Sequence, residues 1–343
     1  MAKITTIIPT YRRPILLHRA ITSALEQKNA SIQVCVYDNC SGDETEAIVR
    51  DLSKHDERVF YYCQSKNIGG LANFLYGMSR IETDFFSFLS DDDYLLPGFY
   101  QRAVAALDRH PEAMCWAGMT LNVDEENVIW DIRARQWPRE GFFKPPEGFM
   151  AMTGGMAPAW TSILFRKDVL KNVGFIDPEF LGPSDLEYCL RLAARYPYFF
   201  EKYPAAVLTL NRQSFSATQP MASFWPGWKR MFEKISSDPD LSTNFKHAAL
   251  AALHRDGRKM LFRRGANALA AGRLDFVRDA ADALASDCDE SARAFLLRSL
   301  AAGCTHSSNL QRIYTSAYRW AERRIVDSRQ DLQAAYGSLL KPI

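Results

Sequence analysis

Three consecutive carboxylates, Asp91-Asp92-Asp93, stop an apolar run that extends from Phe85 to Ser90. Adjacent aspartates repel one another, so at neutral pH they are tolerated only in water or around a cation. Taken alone, the triplet fits a solvated acidic loop that caps a helix as well as it fits a ligand site. At the end of a buried strand, it predicts a divalent-metal site that faces a phosphate.

Other polar residues follow the first two predicted strands and form a chemical set with the triplet. Tyr11 could stack on a base, Asp38 could accept a hydrogen bond from a ring N–H, and Asp91 could hold ribose hydroxyls. Taken separately, Tyr11 is equally well a packed aromatic residue and Asp38 a helix-capping residue. Together with the triplet, they favour a pocket for a nucleoside diphosphate.

The elements that must position these residues alternate between strands and helices. A β-branched run at residues 4–8 ends at Pro9, and Pro14 opens a helix at its favoured first position. A second strand at residues 32–37 precedes Asp38, and further strand and helix segments follow up to the triplet. This alternation predicts a parallel sheet with right-handed crossovers, whose strands would end at the polar set.

Composition limits the class of protein. The chain has 343 residues, of which 47% are hydrophobic, a formal net charge of +2, and 7 scattered cysteines. The length predicts one large domain with a smaller appendage, and the charge gives no basic excess for a nucleic-acid partner. We expect reduced cysteines in a cytoplasmic protein. The sequence contains no pattern of a signal peptide or a membrane span, so we expect neither export nor insertion.

Four segments, in this order and spacing, resemble glycosyltransferase family 2, whose members have the GT-A fold. They are 6–14 (TIIPTYRRP), 36–45 (VYDNCSGDET), 67–69 (NIG) and 89–93 (LSDDD). The resemblance implies an α/β fold of the GT-A type, which is Rossmann-like with a mostly parallel sheet flanked by helices. It also implies transfer of a sugar from a nucleotide-activated donor.

The resemblance assigns residues to the donor and to a metal. The residues that it places at the donor nucleotide are Pro9, Thr10, Tyr11, Arg13, Asp38, Asn67 and Asp91. Counting back from Pro97 favours Asp92 as the main ligand of Mg²⁺ or Mn²⁺, whereas an Asp-x-Asp pattern favours Asp91 with Asp93. The choice within the triplet therefore stays open.

Two positions depart from the pattern of the family. Many members carry a basic residue just before the Asn of the third helix, but here Ala72 precedes Asn73, and Lys66 is the candidate for that charge. Relatives often have a His after an Arg that corresponds to Arg212, and none is present here. Arg212 remains a candidate phosphate contact, without a neighbouring histidine to serve as a metal ligand.

Asp185 is the candidate catalytic residue. At the start of a predicted helix it is equally a helix cap, but it also matches the second position of the family's acidic motif, where Ser184 replaces the usual Glu. The resemblance implies that this carboxylate is the general base. It would take the proton from an acceptor hydroxyl that attacks the anomeric carbon opposite the diphosphate, with inversion.

From residue 225 onward the pattern changes to long helical stretches, at 245–285 and 290–340, with breaks predicted near Gly272 and Gly303. We predict a GT-A domain at 1–224, with a nucleotide-sugar half at 1–98 and an acceptor half at 99–224, and a C-terminal α-helical domain at 225–343. Aromatic and basic residues interleave at 225–232 and 318–325. They predict either a membrane-facing surface or, more commonly, a solvated basic face with aromatics packed inward; dimerisation through these helices is a further alternative.

We therefore expect an inverting, metal-dependent glycosyltransferase of the hexosyltransferase type that uses a nucleotide-sugar donor, with UDP favoured, and Mg²⁺ or Mn²⁺. The expected acceptor is a hydroxyl of a glycan, lipid-linked glycan or glycoprotein in bacterial surface polysaccharide or glycan assembly. The expected location is the cytoplasm, with peripheral contact at the inner face of the membrane as an option. The alternatives are a degenerate sugar-nucleotide-binding or scaffold protein and a nucleotidyltransferase, although residues 9–13 lack the glycine-rich signature of the latter.

Overall fold

The computed structural model describes residues 2–28, 31–180, 182–210, 220–327 and 329–341. Within these ranges, ten strands form one mixed sheet. The strands are β1 (Lys3–Thr10), β2 (Ser31–Asp38), β3 (Val59–Cys63), β4 (Phe85–Phe88), β5 (Tyr94–Leu95), β6 (Cys115–Val123), β7 (Ile129–Arg133), β8 (Gly141–Phe143), β9 (Ile163–Arg166) and β10 (Tyr198–Thr209).

The sheet has a parallel half and a mixed half. Its order is β3-β2-β1-β4-β9-β6-β10-β5, with β7 paired to β6 and β8 paired to β10. The first four strands pair in parallel, as the alternation of strands and helices predicts. Antiparallel β9 separates β4 from β6, and β10 runs parallel to β6. The sequence pattern did not specify this second half.

Helices cover the sheet and then continue alone. Those connected to the sheet are α1 (Pro14–Leu25), α2 (Thr45–His55), α3 (Gly70–Met78), α4 (Phe99–Arg109), α5 (Glu147–Met152), α6 (Val169–Asn172) and α7 (Ser184–Ala193). Those after the sheet are α8 (Met221–Ser237), α9 (Thr243–Ala270), α10 (Leu274–Ser286), α11 (Ser291–His306), α12 (Ser308–Asp327) and α13 (Gln330–Tyr336). Short 3₁₀ turns lie at Trp160–Ser162, Pro178–Phe180 and Gly337–Leu339.

The sheet is buried on both faces. Along β1, Ile4 and Ile8 belong to one apolar cluster together with Leu17 of α1. Ile7 belongs to a second cluster, with Phe86 of β4. Successive side chains of a strand point to opposite faces, so both faces of β1 and β4 are closed by apolar residues, whereas the edge strand β3 exposes Phe60 and Tyr62. Polar ligands can therefore reach β1 and β4 at the ends of these strands.

The C-terminal helices extend the second cluster and return to the sheet. Phe149 of α5 meets Phe245 of α9 in an edge-to-face contact with ring centroids 5.0 Å apart. Near the end of the chain, the Lys341 backbone N–H donates to the Tyr94 hydroxyl of β5 at 3.1 Å. No helix within the described ranges has both the length and the apolar content needed to cross a bilayer.

Both predicted helix breaks are present, but the second lies at Ser307 rather than at Gly303. Between α9 and α10, Gly272 adopts a φ of +71°, which favours glycine at the end of a helix. Gly303, in contrast, lies inside α11, which ends at His306. A Cβ atom at Gly303 would lie 3.4 Å from Leu310 Cδ1 of α12.

Candidate active site

Three parallel strands end side by side at the predicted donor site. Thr10 at the end of β1 is in register with Asp38 at the end of β2. The backbone N–H of Asn39 donates to the Thr10 carbonyl at 3.0 Å. β4 pairs with the other edge of β1 and ends at Phe88, just before the acidic triplet. The sheet topology therefore brings the separate sequence motifs together.

Asp91 is held by the loop that follows β1. Its Oδ2 accepts hydrogen bonds from Thr10 Oγ1 at 2.8 Å and from the Tyr11 backbone N–H at 3.4 Å. Its Oδ1 accepts from Arg13 Nη1 at 3.1 Å. Burial raises the pKa of Asp91 to about 6, the charge of Asp92 raises it as well, and Arg13 opposes both effects. The carboxylate is fixed in orientation and sensitive to the charges around it.

Asp92 lies between two arginines. Arg13 Nη1, which also contacts Asp91, donates to Asp92 Oδ2 at 2.7 Å. Arg19 Nη2 donates to the Asp92 backbone carbonyl at 2.8 Å. Burial raises the pKa of the Asp92 carboxyl, and the Arg13 charge counteracts this shift. Its Oδ1 accepts no hydrogen bond from another residue in the described ranges.

Asp93 is bound on both oxygens by the protein itself. Asp93 is 3% exposed. Thr161 Oγ1 donates to Oδ2 at 2.8 Å, and the Thr209 backbone N–H donates to Oδ1 at 3.0 Å. Burial and the neighbouring Asp92 charge raise the pKa of Asp93. This carboxyl therefore links the end of β4 to the second half of the sheet.

The triplet offers a divalent cation one available carboxylate rather than three. In the part of the chain that the structure describes, no group of three His, Cys, Asp or Glu side chains is arranged to hold a metal alone. Mg²⁺ is often bound by one or two carboxylates together with substrate phosphates. Asp92, with one oxygen not engaged by another described residue, fits that mode of binding.

Asp38 is fixed before any ligand arrives. Its Oδ1 accepts from the Ser41 backbone N–H at 3.0 Å and from Ser41 Oγ at 2.5 Å. Its Oδ2 accepts from the Tyr61 hydroxyl at 2.7 Å, with Cys63 Sγ at 3.8 Å. A nucleotide N–H would have to share an oxygen with one of these donors.

Tyr11 lies at the surface of the cleft on a constrained turn. Its side chain is 38% exposed, and the Arg12 guanidinium lies 5.1 Å from its ring centre. Arg12 has a φ of +57°, which is uncommon for a residue with a side chain. The Arg12 backbone N–H donates to Ser41 Oγ at 2.9 Å, so the turns after β1 and β2 hold each other. The aromatic ring is thus presented to solvent rather than to the core.

The remaining predicted donor residues occupy different environments. Asn39 Nδ2 donates to Asn67 Oδ1 at 3.0 Å, which attaches the Asn67 loop to the end of β2. Pro9 is half-buried within β1. Lys66 is exposed, and its ammonium forms no ion pair among the residues described. Arg212 lies outside the described residues.

The Trp160 indole connects Asp185 to the end of β4. It is the exposed second residue of α7, and its Oδ1 accepts from the Leu186 backbone N–H at 2.7 Å. Trp160 Nε1 donates to the Asp185 carbonyl at 3.1 Å. The Trp160 ring stacks on Phe88 with centroids 4.7 Å apart. Through Trp160, the predicted base is joined to the end of β4, from which the triplet extends.

The helical region contributes a charge near Asp185. The pKa of Arg264 in α9 is lowered to about 10, first by burial and then by Arg263 and Arg273, whereas Asp185 raises it. The Arg264 guanidinium also lies 4.0 Å from the ring centre of Phe224 in α8. The electrostatic surroundings of the predicted base therefore depend on the C-terminal helices.

Sequence reasoning missed several residues that support the site. Arg19 Nη2 contacts both the Asp92 carbonyl and Thr209 Oγ1, the latter at 3.1 Å. Thr161 and Thr209 are 68 and 116 residues from Asp93 in the chain. For Arg19, the one local signal in the sequence is that a basic residue lies on the helix that begins at Pro14. The threonines carry no signal, because their role depends on strand order.

A sheet of this topology, with carboxylates and arginines clustered at its parallel strand ends, has the GT-A fold. Residues 5–174 match the family described as Glycosyl transferase family 2. Residues 5–174 therefore form a domain of glycosyltransferase family 2, and the predicted family and GT-A fold are confirmed.

Curated relatives match about half of the chain. A GalNAc(5)-diNAcBac-PP-undecaprenol beta-1,3-glucosyltransferase of Campylobacter jejuni is 36% identical over 183 residues, which are 53% of this chain and 57% of that enzyme. The succinoglycan biosynthesis protein ExoO of Rhizobium meliloti is 28% identical over 181 residues, which are 52% of this chain and 47% of ExoO. The chain thus matches these relatives over about half of their length.

Solved structures resemble nearly the whole chain. S. aureus TarS (residues 1–349) in complex with UDP has a TM-score of 0.60 at 17% identity and covers 93% of this chain and 92% of its own. The mannosyltransferase PcManGT of Pyrobaculum calidifontis, in complex with GDP-Man and Mn²⁺, has a TM-score of 0.50 at 16% identity. The match covers 95% of this chain and 86% of PcManGT. At these identities the likeness concerns the fold, and its extent includes C-terminal helices as well as the sheet.

Proposed function

We propose that this protein is an inverting glycosyltransferase that moves a sugar from a nucleoside diphosphate, with UDP favoured, to a hydroxyl of a glycan, lipid-linked glycan or glycoprotein. The observation that carries the proposal is the contact of one Arg13 nitrogen with Asp91 at 3.1 Å and Asp92 at 2.7 Å. A basic group and two acids meet where α/β sheets bind ligands. The arginine matches the negative charge of a diphosphate, and the two acids match the positive charge of its divalent cation.

The donor nucleotide would lie across the ends of β1 and β2. Tyr11 offers an exposed ring for base stacking, and Asp38 offers a fixed acceptor for a ring N–H. Asp91 would accept from ribose hydroxyls. Structures of TarS with UDP and with UDP-GlcNAc support UDP as the first choice. GDP is the first competitor, because PcManGT was captured with GDP-Man.

Asp92 would hold Mg²⁺ or Mn²⁺ together with donor phosphates. The bound cation would supply Lewis-acid stabilisation of the leaving diphosphate. Arg13 holds one oxygen of the Asp92 side chain, and Arg19 holds its backbone carbonyl, so both residues orient the carboxylate. Arg212 and Lys66 would add positive charge at the phosphates.

Asp185 would be the general base of the transfer. An acceptor oxygen forms its bond to the anomeric carbon while the bond to the diphosphate oxygen breaks, and the diphosphate leaves with the electron pair. The acceptor proton passes to the Asp185 carboxylate. Attack from the face opposite the diphosphate inverts the anomeric configuration. The exposure of Asp185 gives a solvent-borne acceptor access to it.

The acceptor would belong to bacterial surface polysaccharide or glycan assembly. The C. jejuni relative is named for an acceptor on undecaprenol diphosphate, and ExoO is named for succinoglycan synthesis. A lipid-linked acceptor would bring the enzyme to the inner face of the membrane as a peripheral protein. The C-terminal helices would provide this contact or a homodimer contact.

The test is binding of UDP, GDP, dTDP and CMP, with and without Mn²⁺, measured by calorimetry and thermal shift. We expect UDP to stabilise the wild type in a metal-dependent way. Asp92→Ala should lose the metal-dependent part, whereas Asp51→Ala, which removes an exposed acid on α2, should retain it. A folded wild-type protein that binds none of the four nucleotides contradicts the proposal.

A further inference from the structure

Helices α11 and α12 leave large apolar side chains in solvent. Phe295 on α11 is 72% exposed, and Ile313 and Trp320 on α12 are 64% and 60% exposed. Leu296 and Leu310 are exposed as well. Single exposed apolar residues are ordinary, but several on adjacent helices mark a contact surface.

One row of exposed apolar residues on α12 follows the helical repeat. It consists of Leu310, Ile313, Ala317 and Trp320, which are spaced by three, four and three residues along the helix. A different side of α12 packs on α9. There Tyr314 Oη donates to the Ala266 carbonyl at 3.3 Å, and Thr315 Oγ1 donates to the Ala270 carbonyl at 3.0 Å. The apolar row is therefore not needed to attach the helix.

A row of arginines lies beside the apolar row. Arg312, Arg319 and Arg323 are exposed and are spaced by seven and four residues, so they also share one side of α12. Arg324 lies over the Trp320 ring, 4.7 Å from its centre. A helix with apolar and basic rows on its outward surface is suited to the headgroup region of an anionic bilayer.

We propose that the α11–α12 surface docks on an anionic lipid membrane. This surface consists of Phe295, Leu296, Leu310, Ile313 and Trp320 together with Arg312, Arg319 and Arg323. The apolar side chains enter the interface, and the arginines bind lipid phosphates. A second copy of the chain fits less well, because a two-fold contact would set the same arginine row against itself.

The α11–α12 surface is connected to the surroundings of Asp185 through one helix. α12 packs on α9, and α9 carries Arg264, whose charge interacts with Asp185. One helix thus separates the docking surface from the surroundings of the predicted base. The inference extends the proposed function by giving the place where the enzyme meets lipid, but no step of it requires transfer to occur.

The experiment is sedimentation of the full chain with vesicles of phosphatidylcholine, alone or mixed with phosphatidylglycerol. Neither nucleotide nor acceptor is added. The wild type should bind the anionic vesicles and be released by salt. Ile313→Ser combined with Trp320→Ser should weaken binding about tenfold. Arg312→Gln and Arg319→Gln should each weaken it about fivefold.

Matched controls remove similar side chains elsewhere. Ile15→Ser on α1 and Arg109→Gln on α4 change exposed residues and should bind like the wild type. Thermal unfolding of every variant should match the wild type, because all the altered side chains are exposed. Sugar transfer to a water-soluble acceptor, measured in parallel, should be unchanged in the α12 variants. A wild type that binds vesicles but transfers no sugar would contradict the proposed function and leave the docking surface intact.

Three outcomes would overturn the inference. The wild type could fail to bind anionic vesicles, or the α12 variants could bind as well as the wild type. The wild type could also be a dimer that Ile313→Ser with Trp320→Ser dissociates, without vesicle binding by either protein. The last result would assign the surface to a second copy of the chain.

Discussion

The proposed donor side of this site and its proposed acceptor side are built in different ways. On the donor side, Thr10, Asp38 and Asp91 stand at the ends of neighbouring parallel strands, and nearby protein donors fix both carboxylates. On the acceptor side, Asp185 is exposed, and its neighbours Trp160 and Arg264 come from distant parts of the chain. The parallel strands, with the loops and the helix α1 that follow them, prepare the donor side, whereas the acceptor side depends on the C-terminal helices. Changes on one side should therefore leave the function of the other intact.

The largest effect is expected for Asp185→Asn. Asparagine keeps the size of the side chain but cannot take the proton of the acceptor hydroxyl, so kcat should fall by about 10²–10⁴-fold. Affinity for UDP should be unchanged, because the donor contacts lie elsewhere. Initial rates of sugar transfer and calorimetric UDP binding measure the two effects.

The control for Asp185→Asn is Glu179→Gln, which removes an exposed acid just before α7 that pairs with Arg230. It should retain transfer. If Asp185→Asn lost UDP binding together with transfer, the two sides would not be separable and the role of Asp185 as base would be wrong.

The next effect concerns Asp93, which joins the two sides. Asp93→Ala leaves the buried Thr161 hydroxyl and Thr209 N–H without their acceptor, at a cost of about 1–3 kcal/mol for each group. Asp92→Ala removes a side chain that pairs, among the described residues, only with Arg13, and it should cost less stability. Urea unfolding of both variants measures the difference. Equal stability, with metal-dependent UDP binding lost only in Asp93→Ala, would instead make Asp93 the metal ligand.

The parallel half of the fold could be predicted because each of its signals is local. Residues 4–8, Pro14 and residues 32–37 predict their own elements, and parallel pairing then forces the strand ends together. The strand order of the second half could not be predicted, because the insertion of β9 between β4 and β6 is a long-range pairing. For this reason the contacts of Asp93 with Thr161 and Thr209 have no local signature.

The aromatic and basic stretches illustrate the same limit. Residues 225–232 and 318–325 both interleave aromatic with basic residues. The sequence pattern alone does not determine whether the aromatic side chains face the core or the outside. Trp225 and Trp228 in α8 are buried, as the commoner interpretation predicts, whereas Trp320 in α12 is 60% exposed. Periodicity identifies a side of a helix, but which neighbour covers that side depends on tertiary packing.

A smaller effect is expected where the helical region holds a loop of the acceptor side. Asp256 Oδ2 in α9 accepts from the Gly154 backbone N–H at 2.6 Å, and both Gly154 and Gly155 have φ values of +76°. Asp256→Ala should loosen this loop ahead of Trp160 and raise the acceptor KM about tenfold, since a hydrogen bond to a charged group is lost. UDP affinity should not change. Asp275→Ala, which removes an exposed acid of α10, is the control; a change in UDP affinity in place of acceptor KM would contradict the comparison.

The smallest effect is expected for Tyr61→Phe, which tests how the donor side is prepared. The Tyr61 hydroxyl donates to Asp38 Oδ2 at 2.7 Å, and its loss leaves Ser41 as the one residue in the described ranges whose oxygen or nitrogen donates to Asp38. UDP affinity should fall by about three- to tenfold, in proportion to one hydrogen bond, while kcat at saturating donor stays constant. Tyr62→Phe is the control, because the Tyr62 ring rather than its hydroxyl contacts Tyr37, with centroids 5.1 Å apart. A fall in kcat with unchanged UDP affinity would mean that Asp38 acts after binding, and the division between a prepared donor side and a dependent acceptor side would not hold.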